Sequence, residues 1–202
     1  MAMSTERKAA LILFGSALTE GAWVVLNVWA NPSGFVRYLG VSRAVAEPLA
    51  WTLAAGTIVA FTSFASRLPS VRANLLKPSW LKVLSLAVAL TAGICEEAIF
   101  RKVLMDAAAQ RGAGLVLQVL LSAVAFGAVH GIWGAFKGSV AAAVGATLAT
   151  GALGCALAVV YLAGRRLLVP CVVAHFVINA LAEPGLVLAA LRGEMGRGLG
   201  HI

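Results

Sequence analysis

Three pairs of residues spaced four apart carry polar groups into the apolar runs of this chain, and their types suit hydrolysis. Glu97 and Arg101 stand in Ile94-Cys95-Glu96-Glu97-Ala98-Ile99-Phe100-Arg101, His130 follows Phe126 in Phe126-Gly127-Ala128-Val129-His130, and Asn179 closes His175-Phe176-Val177-Ile178-Asn179. At about 100° per helical residue, residues four apart share a face. Glu97 and Arg101 therefore form a compensated, fork-shaped ion pair. Glu96 is turned away from that pair and is free to point into a cavity, where desolvation and nearby charge tune its ionisation. His175 and Asn179 present an imidazole and a carboxamide together, two groups able to donate to one developing oxyanion. Phe126 lies beside His130, fixing its rotamer and excluding water. One free acid, two histidines and an amide donor suffice for amide hydrolysis by an activated water. A blander reading is that Glu96 and Glu97 jointly neutralise Arg101 as a packing device.

The elements that must position these residues are membrane spans. Of the 202 residues, 61% are hydrophobic and 12% charged, with a mean hydropathy of +0.93, which is the composition of a polytopic membrane protein. Runs of about 20 apolar residues are long enough to cross a bilayer, and they fall at roughly 9–30, 46–66, 79–100, 113–131, 138–163 and 168–190. An all-α bundle of about six transmembrane helices follows. Residues 1–202 form a single integral-membrane domain, with the core that carries the polar pairs at roughly 79–190. Carboxylates at membrane depth are costly, so such acids read first as functional.

The first run is not read as a secretory signal, because it is too long, carries Glu20 and lacks a clear small-x-small cleavage site. Pro170 before His175, and Glu183-Pro184-Gly185 after Asn179, predict a last helix bounded or kinked at both ends. Gly127 and Gly131 predict a close helix neighbour. Cys95, Cys155 and Cys171 lie inside apolar runs without paired spacing and read as small buried hydrophobes. The net charge of +8 comes from basic residues scattered between spans. They form no stripe for nucleic acid and suit anionic lipid headgroups instead. Their sums on the two sides are close, so they do not orient the chain.

The order Glu-Glu-x-x-x-Arg, Phe-x-x-x-His and His-x-x-x-Asn, from about Leu84 to Leu181, resembles the CPBP family of CAAX proteases and bacteriocin-processing (Abi) proteins. The resemblance implies a multi-pass intramembrane endopeptidase of the bacterial plasma membrane, acting on a membrane-tethered protein or peptide: a prenylated tail, as in CAAX processing, or a C-terminal sorting tail. It also implies that Glu96 activates water with His130 assisting, that His175 and Asn179 hold the oxyanion, and that Glu97 and Arg101 brace the site. No cofactor is favoured. Zinc is the alternative, since Glu96, His130 and His175 are a two-histidine, one-carboxylate set, although no His-Glu-x-x-His helix is present. Outside this class stand a proton-coupled transporter, which also places acids and histidines in its spans, and a non-catalytic immunity or scaffold protein that keeps the motifs.

Overall fold

Most helices begin at a residue that caps or stiffens the first turn. In the computed structural model, which describes residues 3–44, 47–137 and 139–195, Ser4 accepts from the Arg7 N–H at the start of α1 (Thr5–Ala30), and Asn31 from the Gly34 N–H at the start of α2 (Pro32–Leu39). Such side-chain acceptors satisfy donors that the helix itself leaves open. Gly40, at φ 80°, ends α2 in the left-handed turn that glycine adopts at least cost, and the short α3 (Val41–Ala44) follows. Pro48 and Pro69 occupy the first turns of α4 (Pro48–Ala65) and α5 (Pro69–Asn74), where a missing N–H does no harm. Ser79 caps α6 (Trp80–Glu97), which passes through a π-helical turn (Ala98–Val103) into α7 (Leu104–Gln110). α8 (Leu115–His130) runs into a 3-10 turn (Gly131–Lys137), and α9 (Val140–Ala163), capped by Ser139, leads to α10 (Val169–Arg192).

Six of these segments are long and apolar enough to cross a membrane: Thr5–Ala30, Pro48–Ala65, Trp80–Gln110, Leu115–Gly134, Val140–Ala163 and Val169–Arg192. The protein is an all-helical integral-membrane bundle. α1 buries only Ala9 and Leu13, and its Leu11, Phe14, Leu18 and Val25 face outward, as a lipid-facing helix requires. Lipid tails are as apolar as leucine, so helices associate here through close backbone approach and polar contacts. α6 lies against α1 and α10, α8 against α9, and α4 against α9 and α10. A Cβ on Gly127 would stand 2.5 Å from the Thr147 carbonyl oxygen and 3.0 Å from Gly151 Cα, and one on Gly93 would stand 3.4 Å from Phe176 N. The close neighbour expected for Gly127 is therefore α9. Phe126, Leu157, Tyr161 and Ile178 lie at the centre of the main core.

Three expectations change. The third span was expected to stop near residue 100, but it runs to Gln110, because its charged residues find partners inside the protein. α10 is bounded by Pro170 at its start, but of the boundary or kink expected at Pro184 the boundary is not made, and the helix continues to Arg192 before Gly193, at φ 71°, ends it. Several basic residues expected at lipid headgroups turn inward. The Lys82 ammonium donates to the Ala180 and Leu181 carbonyls at 2.8 and 2.9 Å, Arg166 reaches Asp106 and Gln118 at 2.6 Å each, and Arg192 reaches Ser70 Oγ at 2.9 Å. Arg197 and His201 of the tail lie outside the described residues, as does the Lys137 side chain. Cys95, Cys155 and Cys171 are free thiols, two of them buried.

Candidate active site

Four segments bring the polar pairs together. The last turn of α6 supplies Glu96 and Glu97, the π-helical turn Arg101, the end of α8 Phe126 and His130, and α10 His175 and Asn179. The two adjacent acids separate by partner. Glu97 and Arg101 are both 0% exposed, with Arg101 Nε 2.9 Å from Glu97 Oε2. This contact is an ion pair whose N–H points off the line, so neither atom completes a hydrogen bond, and the two Nη atoms are buried without a hydrogen-bond partner. The expected fork is therefore not made. The guanidinium instead lies over the Phe126 ring, with Cζ 4.7 Å from its centroid, in cation–π geometry. The other Glu97 oxygen accepts from His175 Nδ1 at 2.8 Å.

Glu96 faces the histidines. Its Oε2 is 3.8 Å from His130 Nε2 and 3.9 Å from His175 Nε2, and its side chain is 21% exposed. Both separations are too long for direct hydrogen bonds, and Oε2 is buried without a hydrogen-bond partner. A buried carboxylate oxygen with unused lone pairs, flanked by two imidazoles, is an acceptor awaiting a small polar partner.

The far side of each imidazole fixes what its near side can do. His130 Nδ1 is 2.7 Å from the Phe126 carbonyl oxygen, which can only accept, so Nδ1 carries the proton and the neutral ring turns an Nε2 lone pair toward Glu96. His175 Nδ1 likewise donates to Glu97, a carboxylate held by Arg101. His175 becomes a donor at Nε2 only as imidazolium. Phe126 packs against all of these groups: its centroid lies 4.6 Å from that of His130, 5.7 Å from that of His175 and 5.1 Å from that of Phe100. Asn179 lies one turn beyond His175 on α10 and is half-buried.

Glu96, Glu97, Arg101, Phe126, His130 and His175 thus form one cluster, with Asn179 a turn away along the helix. Two further acids belong to its surroundings and were not singled out from sequence. Glu20 on α1 accepts from Thr91 Oγ1 at 3.2 Å and lies within electrostatic range of Glu96 and His175. Glu183 interacts with Glu96 and Glu20, and its Oε2 is buried without a hydrogen-bond partner. The cost of an intramembrane acid, and for Glu183 its position four residues beyond Asn179, are the signals that could have found them.

A zinc ion held by Glu96, His130 and His175 would draw its ligand atoms to about 3.3–3.5 Å from one another, given tetrahedral bonds of about 2.0–2.1 Å. The Glu96 separations are wider, at 3.8 and 3.9 Å. Among the described residues no group of three or more histidine, cysteine or acidic side chains is arranged to hold a metal ion. As placed, these atoms are spaced more widely than in a closed tetrahedral site.

Comparison with known proteins adds one finding. A family model described as Type II CAAX prenyl endopeptidase Rce1-like matches residues 78–181, the stretch that contains all seven residues from Glu96 to Asn179 named above. No curated protein and no solved structure matches the chain. With more than half of its length inside the match, the chain belongs to the type II CAAX prenyl endopeptidase Rce1-like family.

Proposed function

We propose that this membrane endopeptidase hydrolyses a peptide bond in a membrane-tethered protein or peptide by a metal-free route in which Glu96 is the general base. The observation that carries the reading is the buried, unpartnered Oε2 of Glu96, 3.8 and 3.9 Å from two imidazole Nε2 atoms. A water held there gives a proton to Glu96, and its oxygen attacks the carbonyl carbon of the scissile bond. His130, whose neutral form turns a lone pair inward, assists as acceptor. The negative charge that develops on the carbonyl oxygen is met by the Asn179 amide N–H, and by His175 Nε2–H once that ring is protonated. The C–N bond then breaks as the proton returns from Glu96 to the leaving amine. Glu97, Arg101 and Phe126 touch no reacting atom in this scheme; they position His175 and His130.

The substrate is proposed to be anchored by lipid or by a hydrophobic tail, of the CAAX-prenyl or C-terminal sorting-tail kind. The support is that Glu96 lies within the membrane-spanning segment Trp80–Gln110 and is only 21% exposed, which suits a substrate tethered to the same membrane. The test is cleavage of a tail peptide by purified enzyme in detergent. Glu96→Gln should lower cleavage by about 100-fold or more while leaving the melting temperature unchanged, because the amide is nearly isosteric but cannot take the proton. Chelation should leave activity intact. Stoichiometric zinc that tracks activity would overturn the metal-free route, and full activity in Glu96→Gln would remove Glu96 from the chemistry.

A further inference from the structure

α10 carries a hydrogen-bonding defect beside the site. Pro184 lies inside this 24-residue helix. Its nitrogen has no hydrogen, so the carbonyl four residues back, Ala180 O, loses its donor, while the ring presses on the preceding turn. A carbonyl left without a donor inside a packed bundle is costly. The Lys82 ammonium is 2.8 Å from Ala180 O, 2.9 Å from Leu181 O and 3.0 Å from Leu75 O. An ammonium has three N–H donors and no acceptor, and here all three go to backbone carbonyls. No acidic side chain among the described residues is paired with it. Lys82 is itself held in the first turn of α6, its N–H bound to Ser79 Oγ at 3.2 Å and its carbonyl accepting from Ser85 Oγ at 2.9 Å.

The location gives the bond its importance. Lys82 belongs to the helix that carries Glu96, and Ala180 directly follows Asn179. Toward the other end of the same helix pair, Gly93 meets the backbone of Val172 and Phe176, where a Cβ would stand 3.4 Å from both Val172 O and Phe176 N. α10 is thus fixed against α6 on both sides of His175 and Asn179.

We propose that Lys82 is a positioning residue that supplies the hydrogen bonds Pro184 withholds, locking the turn of α10 that follows Asn179 so that His175 and Asn179 are held against Glu96. The effect on catalysis rests on the endopeptidase reading; the effect on α10 does not.

The experiment measures Lys82→Met in two backgrounds, wild type and Pro184→Ala, which restores the N–H to Ala180 O. Melting temperature in detergent and kcat and KM on a tail peptide are read for all four proteins. In the wild-type background Lys82→Met should lower the melting temperature and reduce kcat by roughly tenfold or more, as a displaced catalytic group does, with KM changed less than the turnover. In the Pro184→Ala background the same substitution should cost less than half as much in both readouts. If Lys82→Met accumulates only together with Pro184→Ala, that rescue carries the same meaning. If neither accumulates, Lys82→Gln, which keeps an amide donor, is compared in the two backgrounds by the same criterion. Equal losses with and without Pro184 would overturn the proposal. Suppression of the melting defect without cleavage by any of the four proteins would leave the α10 lock standing and strike the endopeptidase reading instead.

Discussion

Arg101→Ala separates architecture from chemistry within the cluster. The substitution removes the counter-ion of a carboxylate that is 0% exposed and uncovers one face of Phe126, over which the guanidinium sits at 4.7 Å. Breaking a buried ion pair from one side costs about 3–5 kcal/mol, mostly because the remaining charge is stranded. Here His175 Nδ1 still donates to Glu97 at 2.8 Å, a charge-assisted bond that offsets part of the loss, so the lower end applies. About 3 kcal/mol reduces the folded-to-unfolded ratio roughly 100-fold and, for a chain of this size, lowers the melting temperature by about 6–12 °C. Glu97→Gln with Arg101→Met removes both charges while leaving a carbonyl oxygen for His175. That double variant should melt within about 4 °C of wild type yet remain impaired in cleavage, since His175 has lost its anionic partner. The assay is thermal unfolding in detergent alongside peptide turnover. An Arg101→Ala protein that melts like wild type and loses only activity would refute the reasoning and place Arg101 in substrate binding; so would a double variant no more stable than the single one.

Three further outcomes follow from the geometry. Gly127→Ala should destabilise by about 1–3 kcal/mol, as overpacking does, because its Cβ would meet the Thr147 carbonyl oxygen at 2.5 Å, whereas Gly151→Ala, with its nearest contact at 3.5 Å, should be close to neutral; melting temperatures of the pair give the comparison. Arg165 and Arg166 have φ of 49° and 66°. Arg165→Gly should change stability little, since relief of about 1 kcal/mol of backbone strain offsets the loss of a pair with Glu47 at 3.1 Å made by a side chain 83% exposed. Arg166→Gly should lower the melting temperature by several degrees, because it removes the bonds to Asp106 and Gln118. Asn179→Ala should lower kcat by about 100-fold with KM nearly unchanged, the loss expected for one oxyanion donor; a rise in KM alone would make it a binding residue.

What the sequence made legible was whatever depends on period. The six spans are long, mainly apolar runs, and the pairing of Glu97 with Arg101 and of Phe126 with His130 follows from helical repeat alone. What it hid depends on contacts between segments. The bond from His175 to Glu97 joins α10 to α6 across the bundle, so the spacing of His175 and Asn179, read as two donors side by side, did not reveal that one imidazole nitrogen is already engaged. Lys82 read as a headgroup contact because its partners are backbone carbonyls, which leave no mark in composition. Pro184 read only as a boundary or a kink for the same reason: its missing bond is made good by a residue about a hundred positions earlier.

The third span shows how local geometry can carry consequences beyond its own turn. A straight α-helix, at about 100° per residue, would turn Asp106 about 180° from Glu97, toward lipid. The π-helical turn Ala98–Val103, in which the Leu104 N–H bonds to Ile99 O five residues back, inserts the equivalent of one residue and rotates the remainder of the span by about 100°. Asp106 is thereby brought to the inner side, where it accepts from Tyr161 Oη at 3.1 Å and from Arg166 Nη1 at 2.6 Å. Lys102 Nζ lies 3.4 Å from its other oxygen. The same wide turn contains Arg101, the partner of Glu97. A single departure from the α-helix thus serves both the site, through Arg101, and the anchor of the α9–α10 connection, through Asp106. It also explains why a span expected to stop near residue 100 continues for about ten residues more.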